Sequence, residues 1–390
     1  MSRATLVVVE RSPAYYREPI YRDIARDMPS AAIIIYYENK HGSQFYDADF
    51  GQNVSYADTK TLDGYEKRVI TKDGKKPRCD ALEIIDDACL SPVIVFCEIA
   101  SLFGLALLLL ALARGSEVWV RTETSDVSRR RTCMKTTIRR IFYIAWYKVI
   151  TGALCIGKAN RHHLLSHGVK KSRIWQSAYG VDNIMRKHTA SDLEVARVAV
   201  RERLGLSNGE TVILFVGKLI EKKNPMLAIE AVSRLSSSRE KQYALIYVGN
   251  GPLRKALKDY ADICSIKCIM VGFVPQSEIN DMYLAADILV LPSRRLGETW
   301  GLVVNEALGA GLGVCVSTAV GCRYEFSKLE RVRVFKDGSV GGLAVGIQEL
   351  SRYARDFKWA EGHLLKYAPS ASAQSFLSLI SRGQVAPRVV

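Results

Sequence analysis

Residues 292–307 read Pro-Ser-Arg-Arg-Leu-Gly-Glu-Thr-Trp-Gly-Leu-Val-Val-Asn-Glu-Ala. An apolar run, 288–291, leads into this stretch, and an apolar helical pattern, 302–309, leads out of it. That is a buried strand, a turn and a helix. Glu298 falls in the turn, and Glu306 falls about one turn into the helix, seven residues intervening. Doubly wound sheets bind ligands where a strand's carboxyl end opens a helix. The amides of Thr299, Trp300, Gly301, Leu302 and Val303 stand at that helix start, where an anion is held. A carboxylate one turn in, such as Glu306, suits a vicinal diol.

The same strand–helix rhythm runs outward in both directions. Upstream, 212–216 reads as a strand entering Gly217-Lys218-Leu219-Ile220-Glu221-Lys222-Lys223-Asn224. Gly217 permits close backbone approach. Lys218 and Lys223 flank a turn into a helix with Pro225 in its first turn, and two lysines there suit a diphosphate without a metal. Gly249-Asn250-Gly251-Pro252 forms a third strand-end loop of small residues. Three such loops on one sheet edge describe a nucleotide pocket.

The first half alternates likewise, with strands at 6–9, 33–37, 93–97, 117–121 and 153–156. Residues 93–113 are long enough to raise a membrane span. Glu98 and Gly104 interrupt them, so they read as strand, turn and helix. Two series in one chain predict an α/β protein of two doubly wound, Rossmann-like domains with a cleft between them.

The chain has 390 residues, long enough to bury a core without staples. Charged residues at 24% and hydrophobic ones at 48% exclude a disordered chain. Nine scattered cysteines lack zinc spacing, so reduced thiols in a cytosolic protein are expected. Residues 1–10 lack a signal-peptide core. Lys and Arg total 55 against 40 acids, a net charge of +15 that implies an anionic partner.

At these residues the chain resembles glycosyltransferase family 4, the retaining family with the GT-B fold. The resemblance covers 211–324 well, through 217–223, 249–252, Gly272-Phe273-Val274, Ala286-Asp287 and, most specifically, Glu298 to Glu306. It implies an acceptor domain at 1–182, a nucleotide-sugar domain at 183–356 and a closing helix, 357–390, packed back on the first domain. It implies that Glu298 and the amides after it contact the donor sugar, and that Glu306 holds the ribose. Lys218 and Lys223 would neutralise the departing diphosphate. Gly217, Gly249, Gly251 and Val274 complete the donor pocket. No cofactor or metal is implied, only a UDP- or GDP-type sugar as substrate.

Lys218 stands where arginine is commoner, and Asn224 where glycine is. The first half resembles the family more weakly, in Tyr16-Arg17-Glu18-Pro19-Ile20, 50–66 and 152–183. The glycine-rich turn after the first strand is missing, as is a histidine near Trp119. Tyr16, Arg17, Arg121 and Glu123 are the acceptor-side candidates. Domain closure about Asp182 and Asn183 is expected.

No acidic residue occurs between Asp126 and Asp182, an interval with twelve cations. Ile141, Phe142, Tyr143, Ile144, Trp146 and Tyr147 lie among them. A basic, aromatic helix suits an anionic membrane surface, so 127–181 is a candidate for one, with a glycan or lipid-linked acceptor. The alternative is a core-facing aromatic helix with solvated arginines. Nucleic acid is not expected, because no recognised motif accompanies the charge. His162, His163 and His167 are metal-like in spacing, yet with no acid nearby they read as plain helix surface. Asp47 and Asp49 read as loop acids. Rival readings are a GT-B epimerase or phosphorylase, or an inactive nucleotide-sugar-binding scaffold.

Overall fold

The computed structural model describes residues 6–10, 14, 16–30, 33–37, 44–47, 52–55, 64–69, 91, 93–97, 102–181, 184–236, 241–275 and 278–385. Asp182 and Asn183, Asp49 and most of 50–66 lie outside these residues. Strands β1 (Leu6–Glu10) and β2 (Ile33–Tyr37) flank helix α1 (Glu18–Asp27). Both strands are buried at every position. Burial on both faces is why they read as unbroken β-branched and aromatic runs. A short antiparallel pair follows, β3 (Gln44–Asp47) with β4 (Gln52–Ser55), then β5 (Glu66–Val69).

The first sheet continues with β6 (Val93–Phe96), α2 (Leu102–Ala113), β7 (Glu117–Thr122), α3 (Cys133–Val149), β8 (Gly152–Cys155), α4 (Lys158–Ser166) and β9 (Ile174–Gln176). The apolar stretch that begins at Val93 is thus a strand and a separate helix. Among the described residues no helix is long and apolar enough to cross a membrane. All seven strands are parallel, in the order β5-β2-β1-β6-β7-β8-β9. The order reverses between β1 and β6, so the ligand crevice of this sheet lies at the end of β1. Helices α2, α3 and α4 cover one face, with Leu107, Leu108, Tyr147 and Leu164 in its core.

Helix α5 (Ala190–Arg203) opens the second domain with a reciprocal cap between Thr189 and Asp192. There follow β10 (Thr211–Val216), α6 (Met226–Ser236), β11 (Tyr243–Val248), α7 (Arg254–Ile263), β12 (Lys267–Gly272), α8 (Ile279–Ala285), β13 (Ile288–Leu291), α9 (Leu302–Gly309) and β14 (Gly313–Ser317). The short α10 (Arg323–Phe326), β15 (Val332–Phe335), α11 (Val340–Leu350) and α12 (Glu361–Leu364) complete it. The six strands are parallel in the order β12-β11-β10-β13-β14-β15. The reversal falls between β10 and β13, and the stretch quoted at the outset leaves β13 at that point.

The last helix, α13 (Pro369–Val385), lies on the first domain. Phe376, Leu379 and Ile380 share a core with Ile20, Tyr21 and Ile24 of α1. The Ser372 hydroxyl donates to the Ala178 carbonyl, and that of Ser375 to Gln176. The motif residue Asp287 serves the opposite edge of the second sheet from the crevice. It accepts from Arg197 at 2.6 Å, Arg201 at 3.4 Å and the Val212 amide at 2.8 Å.

Candidate active site in the interdomain cleft

The loop after β13 is held on all sides. Gly301 caps α9 in the left-handed region, at φ 99°, and a Cβ there would lie 2.7 Å from Leu291 Cδ2. Only glycine meets both demands without strain. Glu298 is buried, at 8% exposure. The Lys223 ammonium donates to its Oε2 at 2.5 Å and the Ser293 hydroxyl to the same oxygen at 3.2 Å. The arrangement brings together two residues that lie 75 apart in the chain. Asn224, at φ 51°, turns the chain into α6, a conformation asparagine tolerates better than most residues, and its Oδ1 accepts from Arg294 at 3.2 Å. The exchange of glycine for asparagine is thereby accounted for.

Gly217 and Lys218 follow β10, and Gly249 and Gly251 follow β11. The two glycines of the second loop serve packing. A Cβ at Gly249 would lie 2.0 Å from the Gly217 oxygen, and one at Gly251 2.6 Å from that of Leu219. The Gly217 amide donates to Val248 at 2.9 Å, and the Leu219 amide to Asn250 at 2.9 Å. Val274 follows β12 and is half-buried. Glu306 accepts from the Tyr283 hydroxyl at 2.5 Å. Both line a cavity of about 250 Å³ between the domains, with Tyr16, Arg22, Asn280 and Asn305. Trp300 turns away from solvent. Its indole donates to Asn305 at 2.8 Å and packs on Tyr179, Phe326 and Tyr367.

Across the cleft, Arg17 bridges two carboxylates, Glu10 at 2.9 Å and Glu123 at 2.9 Å. Glu10 closes β1 and is fully buried, and it also accepts from Tyr21. Burial works against the Arg17 charge, but Glu10, with Tyr16, Cys97 and Glu123 adding to it, raises the pKa well above the ordinary value. Burial alone would raise the Glu123 carboxyl; Arg17, Tyr179 and Arg121 together hold it below the usual range. Tyr16 packs edge-on to Tyr179, and burial pushes its hydroxyl far up. Arg121 is a strut. It is 1% exposed and donates to the Ser177 and Ala178 carbonyls at 3.3 Å each. Tyr16, Arg17 and Glu123 thus come together, whereas Arg121 faces inward. Sequence reasoning missed Glu10. A carboxylate ending an otherwise apolar strand at the switch point was the available signal.

The domains touch directly. The Lys158 amide donates to Glu325 at 2.5 Å, and the Gly297 amide to the Ser128 carbonyl at 2.8 Å. Arg129 and Leu296 form an antiparallel bridge. The cleft is closed at this point.

The histidine expectation is corrected. His163 and His167 are buried, and Asp126, 37 residues before His163, supplies an acid. Its Oδ2 lies 2.8 Å from His163 Nδ1, and Tyr147 holds the other ring nitrogen at 3.1 Å. Burial lowers the His163 pKa despite Asp126. These three residues are the cluster among the described residues with metal-ligand spacing. Arg139, 3.7 Å from Asp126, already balances its charge. The basic interval also divides. Lys158 bonds the Tyr324 carbonyl across the cleft, and Arg173 donates to Thr151 at 2.5 Å. Tyr143, Trp146 and Tyr147 pack on the core.

Residues 197–354 match the family model of glycosyl transferases group 1. The match takes in β10 to β15 and the whole Glu298 loop. The chain is 27% identical over 213 residues to the putative teichuronic acid biosynthesis glycosyltransferase TuaC of Bacillus subtilis (strain 168), covering 55% of this chain and 50% of that one. It spans about half the length of that relative, or less for other curated relatives it matches. Whole-chain likeness comes from solved structures. The glycosyltransferase from Rickettsia africae ESF-5 superposes with TM-score 0.70 at 14% identity, covering 99% of this chain and 100% of that one. Anabaena Alr3699/HepE in complex with UDP and glucose gives 0.67 at 13%, covering 97% and 100%. The fold is GT-B.

Proposed function

We propose that this chain is a retaining, nucleotide-sugar-dependent glycosyltransferase of family 4 type that works without a metal. The observation that carries the reading is the Glu298 loop. It leaves β13 at the switch point, presents the start of α9 to the cleft and holds Glu298 against Lys223. HepE, of the same fold, binds UDP and glucose, and the donor here is a UDP- or GDP-type sugar.

Lys223 and Glu298 neutralise each other until a diphosphate, the stronger anion, draws the lysine away. Lys218, Lys223 and the amides of Thr299 to Val303 then hold the charge that grows on the leaving phosphate. Glu298 accepts from hydroxyls of the donor sugar, and Glu306 from the ribose. The bond between the anomeric carbon and the phosphate oxygen breaks, its electrons staying on the diphosphate. The acceptor oxygen bonds to the anomeric carbon on the same face and passes its proton to the departing phosphate. Tyr16, Arg17 and Glu123 line the acceptor side. The acceptor is a glycan or lipid-linked sugar at an anionic membrane surface, a partner that the uninterrupted positive charge after Asp126 favours.

A thermal-shift panel of UDP, GDP, ADP and their common sugars in EDTA tests the donor site, with wild type against Glu306→Ala. A ligand at a hundred times its dissociation constant adds about 2.7 kcal/mol. Stabilisation by one base, lost in the variant, is expected. No shift with any nucleotide overturns the reading.

A further inference from the structure

Helix α3 carries two apolar faces. Tyr143 and Tyr147 face inward, stacked on one another and edge-on to His163. On the other side Met134, Ile138, Ile141, Phe142 and Val149 are 69, 61, 65, 59 and 47% exposed. Their spacing of three, four and seven residues places them on one helix face. Lys135, Arg140 and Lys148 are exposed around this stripe. Leu105 and Leu109 of α2, in the same helix layer, are 41 and 59% exposed. A protein surface seldom leaves so many large apolar side chains together without something to cover them.

The charge around the stripe selects the occupant. Among 127–181 all twelve charged side chains are cationic. The stripe runs along one helix, from Met134 to Val149. Lysines flanking an apolar stripe reach phosphate headgroups while their stems stay among acyl chains. An anionic bilayer meets the apolar face and the charge together.

The stripe is also wired to the cleft. Ser128 and Arg129 lie five and four residues ahead of Cys133, the first residue of α3, and they are the residues that pair with Gly297 and Leu296 of the Glu298 loop. We propose that α3 lies in the interfacial plane of an anionic bilayer through Met134, Ile138, Ile141, Phe142 and Val149, and that the docked helix steadies the Glu298 loop through the Ser128–Gly297 pairing. The second half rests on the transferase reading; the first does not.

The test uses the full chain with vesicles of phosphatidylcholine alone and with about a quarter phosphatidylglycerol. Wild type, Ile138→Asn with Phe142→Ser, and Lys135→Glu with Lys148→Glu are compared by co-sedimentation. Wild type is expected to bind the anionic vesicles, less so as salt rises, and each variant to lose about tenfold or more. Unchanged melting curves are expected, because the substituted side chains are exposed. Anionic vesicles are expected to tighten nucleotide binding several-fold in wild type and not in the variants. Equal vesicle binding by wild type and the apolar variant overturns the docking face. So does a wild-type dimer that ignores vesicles and that the apolar variant converts to monomer. Nucleotide affinity indifferent to vesicles overturns the coupling. Absence of nucleotide binding under every condition instead removes the transferase reading, while vesicle binding still decides the docking face.

Discussion

The α-carbon of Gly321 lies against the carbonyl of Thr299, so closely that a Cβ there would stand 1.8 Å from that oxygen. Thr299 follows Glu298, and the Cys322 amide donates to the Trp300 carbonyl at 3.0 Å. The loop after β14 is therefore the floor on which the Glu298 loop rests. Gly321→Ala must displace backbone, not a flexible side chain. It is expected to cost about 1–3 kcal/mol, read from urea unfolding. Nucleotide affinity should fall as well, because the amides at the start of α9 move with Thr299. Unchanged affinity in a folded variant would detach this loop from the donor site.

The Lys223–Glu298 pair makes a separate prediction. Both side chains are largely shielded, at 20 and 11% exposure. Lys223→Met leaves the Glu298 carboxylate with Ser293 alone, a near-buried charge without its cation. The double variant Lys223→Met with Glu298→Gln removes that charge. It should unfold at a higher urea concentration than the single lysine variant. Both should convert donor to nucleoside diphosphate roughly 10²- to 10³-fold more slowly than wild type, the scale of losing one group that stabilises transition-state charge.

Much of this geometry was legible before the fold was known. Gly301 and Asn224 mark backbone turns that few other residues make, and such residues speak through sequence alone. Apolar runs fixed the strands because parallel sheets are buried on both faces. Side chains whose partners lie far along the chain were not legible. Asp126 finds His163 only because β7 and β8 are adjacent, and so the histidines read as surface. Arg121 reads as a cleft residue because it lies next to the last residue of β7, yet it turns inward to the Ser177 and Ala178 carbonyls. Glu10 was overlooked because one acid at a strand's end carries no periodic signal.

Asp287 illustrates a motif residue that serves stability. It meets Arg197 and Arg201, while Arg355 donates to the neighbouring Ala286 carbonyl at 2.7 Å. Asp287→Ala leaves two largely buried guanidiniums without their carboxylate. The expected cost is about 3–5 kcal/mol, the range for breaking one partner out of a buried ion pair. Urea unfolding measures it. Nucleotide affinity of the fraction that folds should be unchanged, since Asp287 lies at the far end of β13 from Glu298.

His163 sets a pH dependence whose sign can be worked out. It is fully buried, and burial holds its pKa below the ordinary 6.5 in the fold; Asp126 opposes this, while the charges of His167 and Arg139 add to it. The unfolded chain therefore binds the proton first as pH falls. Stability contributed by the neutral ring is complete above the unfolded value and declines once pH drops below about 6.5. The decline levels off only below the lowered folded pKa. Urea midpoints measured from pH 7.5 to pH 5 should fall for wild type, and the slope should be shallower for His163→Gln. The glutamine keeps a hydrogen bond to Asp126 or Tyr147 within reach but takes up no proton. Equal slopes would mean that His163 is protonated as easily in the fold as outside it, and that the Asp126 hydrogen bond offsets burial.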